Sequence, residues 1–522
     1  MSRQDHFSKS EKNYLWFFLG LLIFAFFYQL GIYPLFLEEP RRGLIALEMM
    51  YRDNIWVPTQ TGDLYFRKPP FYNWLLILAY KTFGVTEFAT RFFSVLSHLA
   101  LGGFTYYFIR KHLGQFHAVV IAFSYLVVAD ILIYFSALGE IDLFYALITG
   151  ASLMLIFHFG EQQKFYALFI SVYILTAIGF LTKGLSSLPY TAISLLVYFI
   201  WTKEFKRLFS VGHITGILVF AVILLGYFYQ FSRYEAVTAW WTTLYTESAE
   251  KATGGGLFAW LNHFVSFPLD TLKNLLPATF FLPLLFVKQG FSNLKSNRLI
   301  WYSVLIFSFN MLIYWLSTEG RSRYIYPLFP LACIVLVYAY LKSTSTWKEK
   351  YLSVVAYSLL GILIIGFGAI PFIKSLESVD HLPLISIIGI GLLLLLIYCQ
   401  WKQQVRPYLI ILGLFCVLRL GFSCIAPQTR EKTTGAAEDK ALGIELAEIT
   451  AGSPLHRLGD VRMSLTIVFY LERERGEVLY QTDSFESGYY FCYSDDLPAA
   501  DFEIVKVFDY HGEPIYLIQL TP

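Results

Sequence analysis

The 522-residue chain is 56% hydrophobic and only 15% charged, with a mean hydropathy of +0.54, which excludes a soluble domain of this size. The net charge of +2 is uninformative, and no nucleic-acid partner is inferred from it. The five scattered cysteines (Cys333, Cys399, Cys416, Cys424, Cys492) have neither metal-ligand spacing nor the even count of a disulfide framework. The first apolar run, 14–36, is long enough to span a bilayer and lacks a small-residue cleavage site, so it reads as a span and not as a signal peptide. Further spans are predicted near 88–109, 115–135, 142–160, 165–182, 186–202, 211–231, 272–288, 299–317, 324–341, 351–373, 383–400 and 407–424. Between the first two, Phe71–Phe83 is short and follows Pro69-Pro70. It reads as a helix lying at the interface, with Lys81 on its polar side.

Loop charges set the orientation. With Arg3, Lys9 and Lys12 cytoplasmic, the loops on that side carry Arg110-Lys111, Lys164, Lys203/Lys206/Arg207, Lys288/Lys295/Arg298, Lys342/Lys348/Lys350 and Lys402/Arg406. All are basic, as the positive-inside rule requires. An odd number of spans, about thirteen, then places the carboxyl-terminal segment outside. From about Ala426 the composition turns polar. A helix-like stretch (Ala436–Ile449) precedes strand-like runs at Val478–Thr482 and Tyr489–Tyr493, and a hairpin pairs Glu503–Phe508 with Ile515–Leu520 through a turn at His511-Gly512. The expected architecture is an all-α polytopic membrane domain, 1–425, followed by a soluble α+β outer domain, 426–522.

Acids and bases collect in the loops of the outer side. The long first loop contains Glu38-Glu39-Pro40-Arg41 and Phe66-Arg67-Lys68-Pro69-Pro70, in which acids could hold a cation or act as base beside an anion-binding pair; solvated loop charge is the plain alternative. Glu140 and Asp142 are the next exposed acids, and Asp142 could equally be a helix cap. Lys183-Gly184 ends the fifth span, where a lysine can simply snorkel. The loop 232–270, with Glu247, Glu250, Lys251 and Gly254-Gly255-Gly256, fits a mobile flap or a plain connector. In Glu319-Gly320-Arg321-Ser322-Arg323-Tyr324 two arginines run against the positive-inside pattern and call for an anionic partner, most simply phosphate, with Glu319 or lipid headgroups as the alternative. Together these residues describe a site for a phosphorylated, lipid-linked substrate.

These motifs resemble those of the bacterial GT-C glycosyltransferases related to 4-amino-4-deoxy-L-arabinose (lipid A) transferase and the protein O-mannosyltransferases. The family's Asp-Glu-Pro-Arg motif falls on Glu38-Glu39-Pro40-Arg41, and its Lys-Pro-Pro element on Lys68-Pro69-Pro70. Ala89-Thr90-Arg91 resembles its entry to the second span, its second acid falls on Asp142, and its Thr-Lys-Gly element on Thr182-Lys183-Gly184. Its Arg-x-x-Tyr-Ile-x-Pro element falls on Arg321–Pro327. The resemblance implies a GT-C fold and inverting transfer of a sugar from a polyprenyl-phosphate donor to lipid A, another envelope glycan or a protein, on the periplasmic face of the bacterial inner membrane. It implies that Lys68, Tyr324 and one of Arg321 or Arg323 bind the donor phosphate with Arg41 in support, and that Glu39 and Lys183 join the substrate-binding set. Glu38 and Asp142 would position or deprotonate the acceptor, or bind a divalent cation; no cofactor is otherwise implied. Two departures stand out: Glu38 replaces the usual Asp, and Arg67 replaces the Glu of the aminoarabinose enzymes. The competing classes are a flippase for lipid-linked sugars, which would place charges near the midplane and repeat its halves, and a membrane-anchored binding protein.

Overall fold

The computed structural model of the chain describes residues 6–252, 256–287, 290–498 and 501–520. Arg3, Lys288, Gly254 and Gly255 lie outside the described residues, as do the side chains of Glu247, Glu250 and Lys251. Two compact units are formed, each from three stretches of chain. Met1–Leu30, Ser94–Gly226 and Leu244–Thr429 make the first; Gly31–Phe93, Tyr227–Thr243 and Arg430–Pro522 make the second.

In hydrocarbon a backbone must bond its own polar groups, so apolar runs of this length fold as helices. Among the described residues nine helical stretches are long and apolar enough to cross a membrane, ten if the bent pair Gln115–Leu126 and Ala129–Ala137 is one span. The protein is a multi-pass membrane protein. One of the nine, Phe165–Trp201, would be roughly 55 Å long if straight, nearly twice the bilayer core. It folds back instead. Gly184 breaks it at φ 69°, and the hydroxyls of Thr176 and Thr191 meet at 2.6 Å. That is a hairpin of two helices, Phe165–Lys183 and Ser187–Trp201, where the sequence places 165–182 and 186–202.

The expected count of thirteen is not confirmed. The span expected at 272–288 is a 3-10 stretch of 8 residues, Ala278–Leu285, with Pro283 inside it and Pro277 at its cap. Two prolines this close remove donors and stop a longer helix. The first helix, Lys9–Phe27, starts among charges with a Ser8/Glu11 capping box and ends well short of Phe36. The fold is otherwise the expected one, mostly helical with a small carboxyl-terminal sheet.

In the second unit the first outer loop is ordered as helix Glu39–Tyr51, the ribbon Thr59–Gln60/Asp63–Leu64 and helix Phe71–Phe83. The last, 13 residues long, is too short to cross. Five strands form one mixed sheet in the order Tyr480–Gln481, Leu455–Arg457, Gly488–Cys492, Glu513–Leu520, Phe502–Tyr510. Its hairpin closes through His511 (φ 56°) and Gly512 (φ 87°), the two positive φ values that a tight type I′ turn needs. Helices Ala436–Ile449 and Leu465–Arg475 pack so closely that a Cβ on Gly443 would lie 2.6 Å from the Ile467 carbonyl oxygen.

Candidate functional site

In the first unit, the chain leaves the short helix Ala129–Ile133, passes a 3-10 turn at Phe135–Ala137, and enters helix Asp142–Glu161 through Glu140 and Ile141. Ile141 is the cap residue and offers no side-chain cap, so Asp142 is the first helical residue and not the cap. Its carboxylate instead accepts a hydrogen bond from Lys183 Nζ at 2.6 Å. Lys183 is the last residue of helix Phe165–Lys183, and its ammonium lies 4.9 Å and 4.8 Å from the ring centroids of Tyr145 and Tyr324. A second pair lies on the same segment: Arg323 Nη1 donates to Glu140 Oε2 at 2.9 Å.

Glu140 and Asp142 are buried, with side-chain exposures of 8% and 5%, not exposed as the sequence suggested. Burial forces each to carry a cation partner, because an unpaired carboxylate there would be prohibitive. The 3-10 segment Ser322–Leu328 is pinned in turn. Tyr190 donates to the Tyr324 carbonyl at 2.6 Å, and the Tyr326 hydroxyl donates to Asp130. Arg321, just before this segment, is exposed, and its side chain has no ion-pair partner among the described residues.

The second unit holds Glu38, Glu39, Arg41 and Lys68. Glu38 occupies the cap position of helix Glu39–Tyr51 without capping it; its half-exposed carboxylate pairs with Arg41. Leu37, at φ 59°, turns the chain immediately before it, a costly conformation for a branched residue. Glu39 is held quite differently. It is fully buried and takes two bonds from Arg91, Nε to Oε1 at 2.7 Å and Nη2 to Oε2 at 2.9 Å. Arg91 also donates to the carbonyls of Tyr33 (2.9 Å) and Pro34 (3.0 Å) and stacks 3.6 Å from the Tyr33 ring centroid. The two acids of the motif therefore divide the work: Glu38 is accessible, and Glu39 is locked into the scaffold, out of reach of a substrate. Lys68 is partly buried in the loop before Pro69.

Arg91 is the residue that the sequence reading undervalued. An arginine in the apolar run 88–109 was itself the signal, since such a charge needs a partner. A further pair of acids, Glu48 and Glu472, is buried in the same unit. Glu48 accepts from the backbone N–H groups of Thr61 and Gly62, and burial lifts its carboxyl from 4.5 to about 7 despite those bonds and Arg52. Glu472 is pushed well above the glutamate range by burial and then by Glu48, with Arg457 opposing.

As for a divalent cation, among the described residues no three His, Cys, Asp or Glu side chains group to hold one. Asp142, Glu140, Glu38 and Glu39 are already matched by Lys183, Arg323, Arg41 and Arg91. Such charge-balanced donor sets do not fit a metal ion, so the chemistry is read without one.

The dolichyl-phosphate-mannose-protein mannosyltransferase family matches residues 67–228. An uncharacterized protein of Aquifex aeolicus is 23% identical over 66% of this chain and 67% of its own. The undecaprenyl phosphate-alpha-4-amino-4-deoxy-L-arabinose arabinosyl transferase of Yersinia enterocolitica is 32% identical over 39% of this chain and 37% of its own. That of Pseudomonas savastanoi is 26% identical over 51% and 48%. The chain thus spans about half the length, or less, of the named transferases that it matches. The crystal structure of ArnT from Cupriavidus metallidurans in the apo state superposes with a TM-score of 0.73 at 18% identity, covering 98% of both chains. The same protein bound to undecaprenyl phosphate gives 0.73 at 17%. The fold is therefore the GT-C fold, and the chain is related to the aminoarabinose transferases and the mannosyltransferases.

Proposed function

We propose that the protein is an inverting glycosyltransferase that moves a sugar from a polyprenyl-phosphate donor to lipid A or another envelope glycolipid. The observation that carries this reading is the cluster of the first unit, where Asp142–Lys183 and Glu140–Arg323 flank Tyr324 while the exposed Arg321 has no ion-pair partner among the described residues. The ArnT structure with undecaprenyl phosphate bound supports the donor class. The positive-inside loops support a site on the periplasmic face of the inner membrane, with the catalytic membrane domain at 1–425 and an outer domain at 426–522.

In the reaction, an acceptor oxygen forms a bond to the anomeric carbon from the face opposite the phosphate. The bond from that carbon to the phosphate oxygen breaks, and polyprenyl phosphate leaves with the electron pair. Negative charge grows on the leaving phosphate, so Lys68, Tyr324 and one of Arg321 or Arg323 contribute by holding it in the transition state, with Arg41 in support. Lys183 pairs with Asp142 and aims it. Glu38 and Asp142 orient the acceptor, and one of them takes its proton where the acceptor is a hydroxyl; an acceptor phosphate is already a nucleophile.

The test uses membrane vesicles supplied with radiolabelled polyprenyl-phosphate sugar, comparing wild type with Glu38→Gln, Asp142→Asn and Lys68→Ala at equal expression. Label transfer abolished in all three is the expected result. Label that crosses the membrane untransferred, equally in wild type and variants, would overturn the enzyme reading in favour of a flippase.

A further inference from the structure

Four residues, Tyr33 to Phe36, lead the chain to Leu37 and Glu38. They form no regular secondary structure, and side chains hold most of their peptide groups. Arg91 takes the carbonyls of Tyr33 and Pro34. The Phe36 N–H donates to Glu39 Oε2 at 3.3 Å. The peptide groups of Leu35, in the middle, are held from far along the sequence. Its N–H donates to the Tyr470 hydroxyl at 3.0 Å, and its carbonyl accepts from Thr466 Oγ1 at 3.3 Å.

Tyr470 and Thr466 both lie on helix Leu465–Arg475 of the carboxyl-terminal segment. The Tyr470 hydroxyl is fixed in its own right, because it donates to Glu87 Oε1 at 2.8 Å, an oxygen that also takes Lys440 Nζ at 2.6 Å. Arg430 adds a bond to the Tyr33 hydroxyl at 3.3 Å. The same helix presses on the one that follows Glu38: a Cβ on Gly43 would lie 2.9 Å from the Phe469 ring, an approach that only glycine permits.

We propose that Tyr470 is a positioning residue for Glu38, and that the carboxyl-terminal domain serves the transfer by clamping the segment that presents this carboxylate. The proposal rests on the reading of Glu38 as a catalytic group. A base or acceptor-orienting carboxylate must be held to within a fraction of an ångström, and a side chain on a strained turn needs its approach fixed from outside. Arg91 and Glu39 supply one jaw of that clamp, and Tyr470 with Thr466 supplies the other. The device explains why a five-stranded domain is attached to a membrane enzyme without contributing an acid or base of its own to the candidate site.

The experiment uses the full chain in proteoliposomes, with the kinetics of Tyr470→Phe and Thr466→Val compared with Tyr490→Phe. Tyr490 is equally buried in the carboxyl-terminal domain, but among the described residues its hydroxyl serves only Glu486. The expected result is a kcat about tenfold lower in Tyr470→Phe and lowered in Thr466→Val, with the donor KM within about twofold, while Tyr490→Phe keeps the wild-type kcat. A wild-type kcat in Tyr470→Phe, or equal losses in Tyr470→Phe and Tyr490→Phe, overturns the positioning role. Glu38→Gln in the same assay separates the two levels. If it is inactive while Tyr470→Phe is normal, Glu38 stands and the clamp falls; if it is fully active, the reading of Glu38 falls and the clamp with it.

Discussion

The Glu48–Glu472 pair makes the stability of the second unit depend on pH, and Glu472→Gln tests it. Both acids are buried, and Glu472 Oε2 has no hydrogen-bond partner among the described residues. Burial raises Glu48 from 4.5 to about 7, so the folded unit keeps a proton that the unfolded chain releases near 4.5. The stabilisation is complete below pH 4.5 and is lost as pH rises through about 7. The gap of about 2.5 units corresponds to about 3 kcal/mol at 1.36 kcal/mol per unit. For a unit of this size that is a drop in thermal midpoint on the order of 10 °C between pH 5 and pH 8. Glu472→Gln keeps an oxygen for the Leu479 N–H and replaces the bare oxygen with an amide donor. It also removes the second negative charge. Tryptophan-fluorescence melting of the detergent-solubilised protein should show a shallower decline and a higher midpoint at pH 8 in the variant. A midpoint that rises toward pH 8 in the wild type, or an unchanged decline in the variant, would refute the reasoning.

Arg91→Met strands the buried Glu39 carboxylate and should cost about 3–5 kcal/mol, seen as a lowered melting midpoint; adding Glu39→Gln should recover part of the loss. Arg321→Ala should lower kcat about tenfold with a smaller change in the donor KM, because the phosphate charge that this cation meets grows in the transition state. Gly43→Ala should destabilise the second unit by about 1–3 kcal/mol, measured by the same melting experiment, since neither the Phe469 ring nor the Tyr80 hydroxyl, both 2.9 Å from the added Cβ, can withdraw freely.

Where apolar period and charge placement speak directly, the sequence was informative. Helix Phe71–Phe83, helix Ala436–Ile449 and the hairpin at His511-Gly512 all lie where residue pattern and turn chemistry predict them. The pairing of Lys183 with Asp142 was not legible, because 41 positions separate them and only the antiparallel packing of helix Asp142–Glu161 against helix Phe165–Lys183 brings the lysine to that end. The burial of Glu140 was missed for the same reason: its partner Arg323 is distant in sequence, and short polar stretches between spans look solvated. Helix Leu465–Arg475 escaped because Thr466, Ile467, Val468, Phe469 and Tyr470 carry strand propensity. Its true signals were the cap residues Ser464 and Gly476 at either end. The span expected at 272–288 is not confirmed, because hydropathy stays high through Pro277 and Pro283 although a continuous helix cannot form.

The central claim is that a sugar leaves a polyprenyl phosphate and becomes bonded to an acceptor. Incubating the purified protein with polyprenyl-phosphate sugar and lipid A, followed by mass spectrometry of both lipids, tests it most directly. The account predicts a lipid A heavier by one sugar residue for each polyprenyl phosphate released, and no product from Asp142→Asn. An acceptor of unchanged mass beside an intact donor, or equal product from Asp142→Asn, would contradict it.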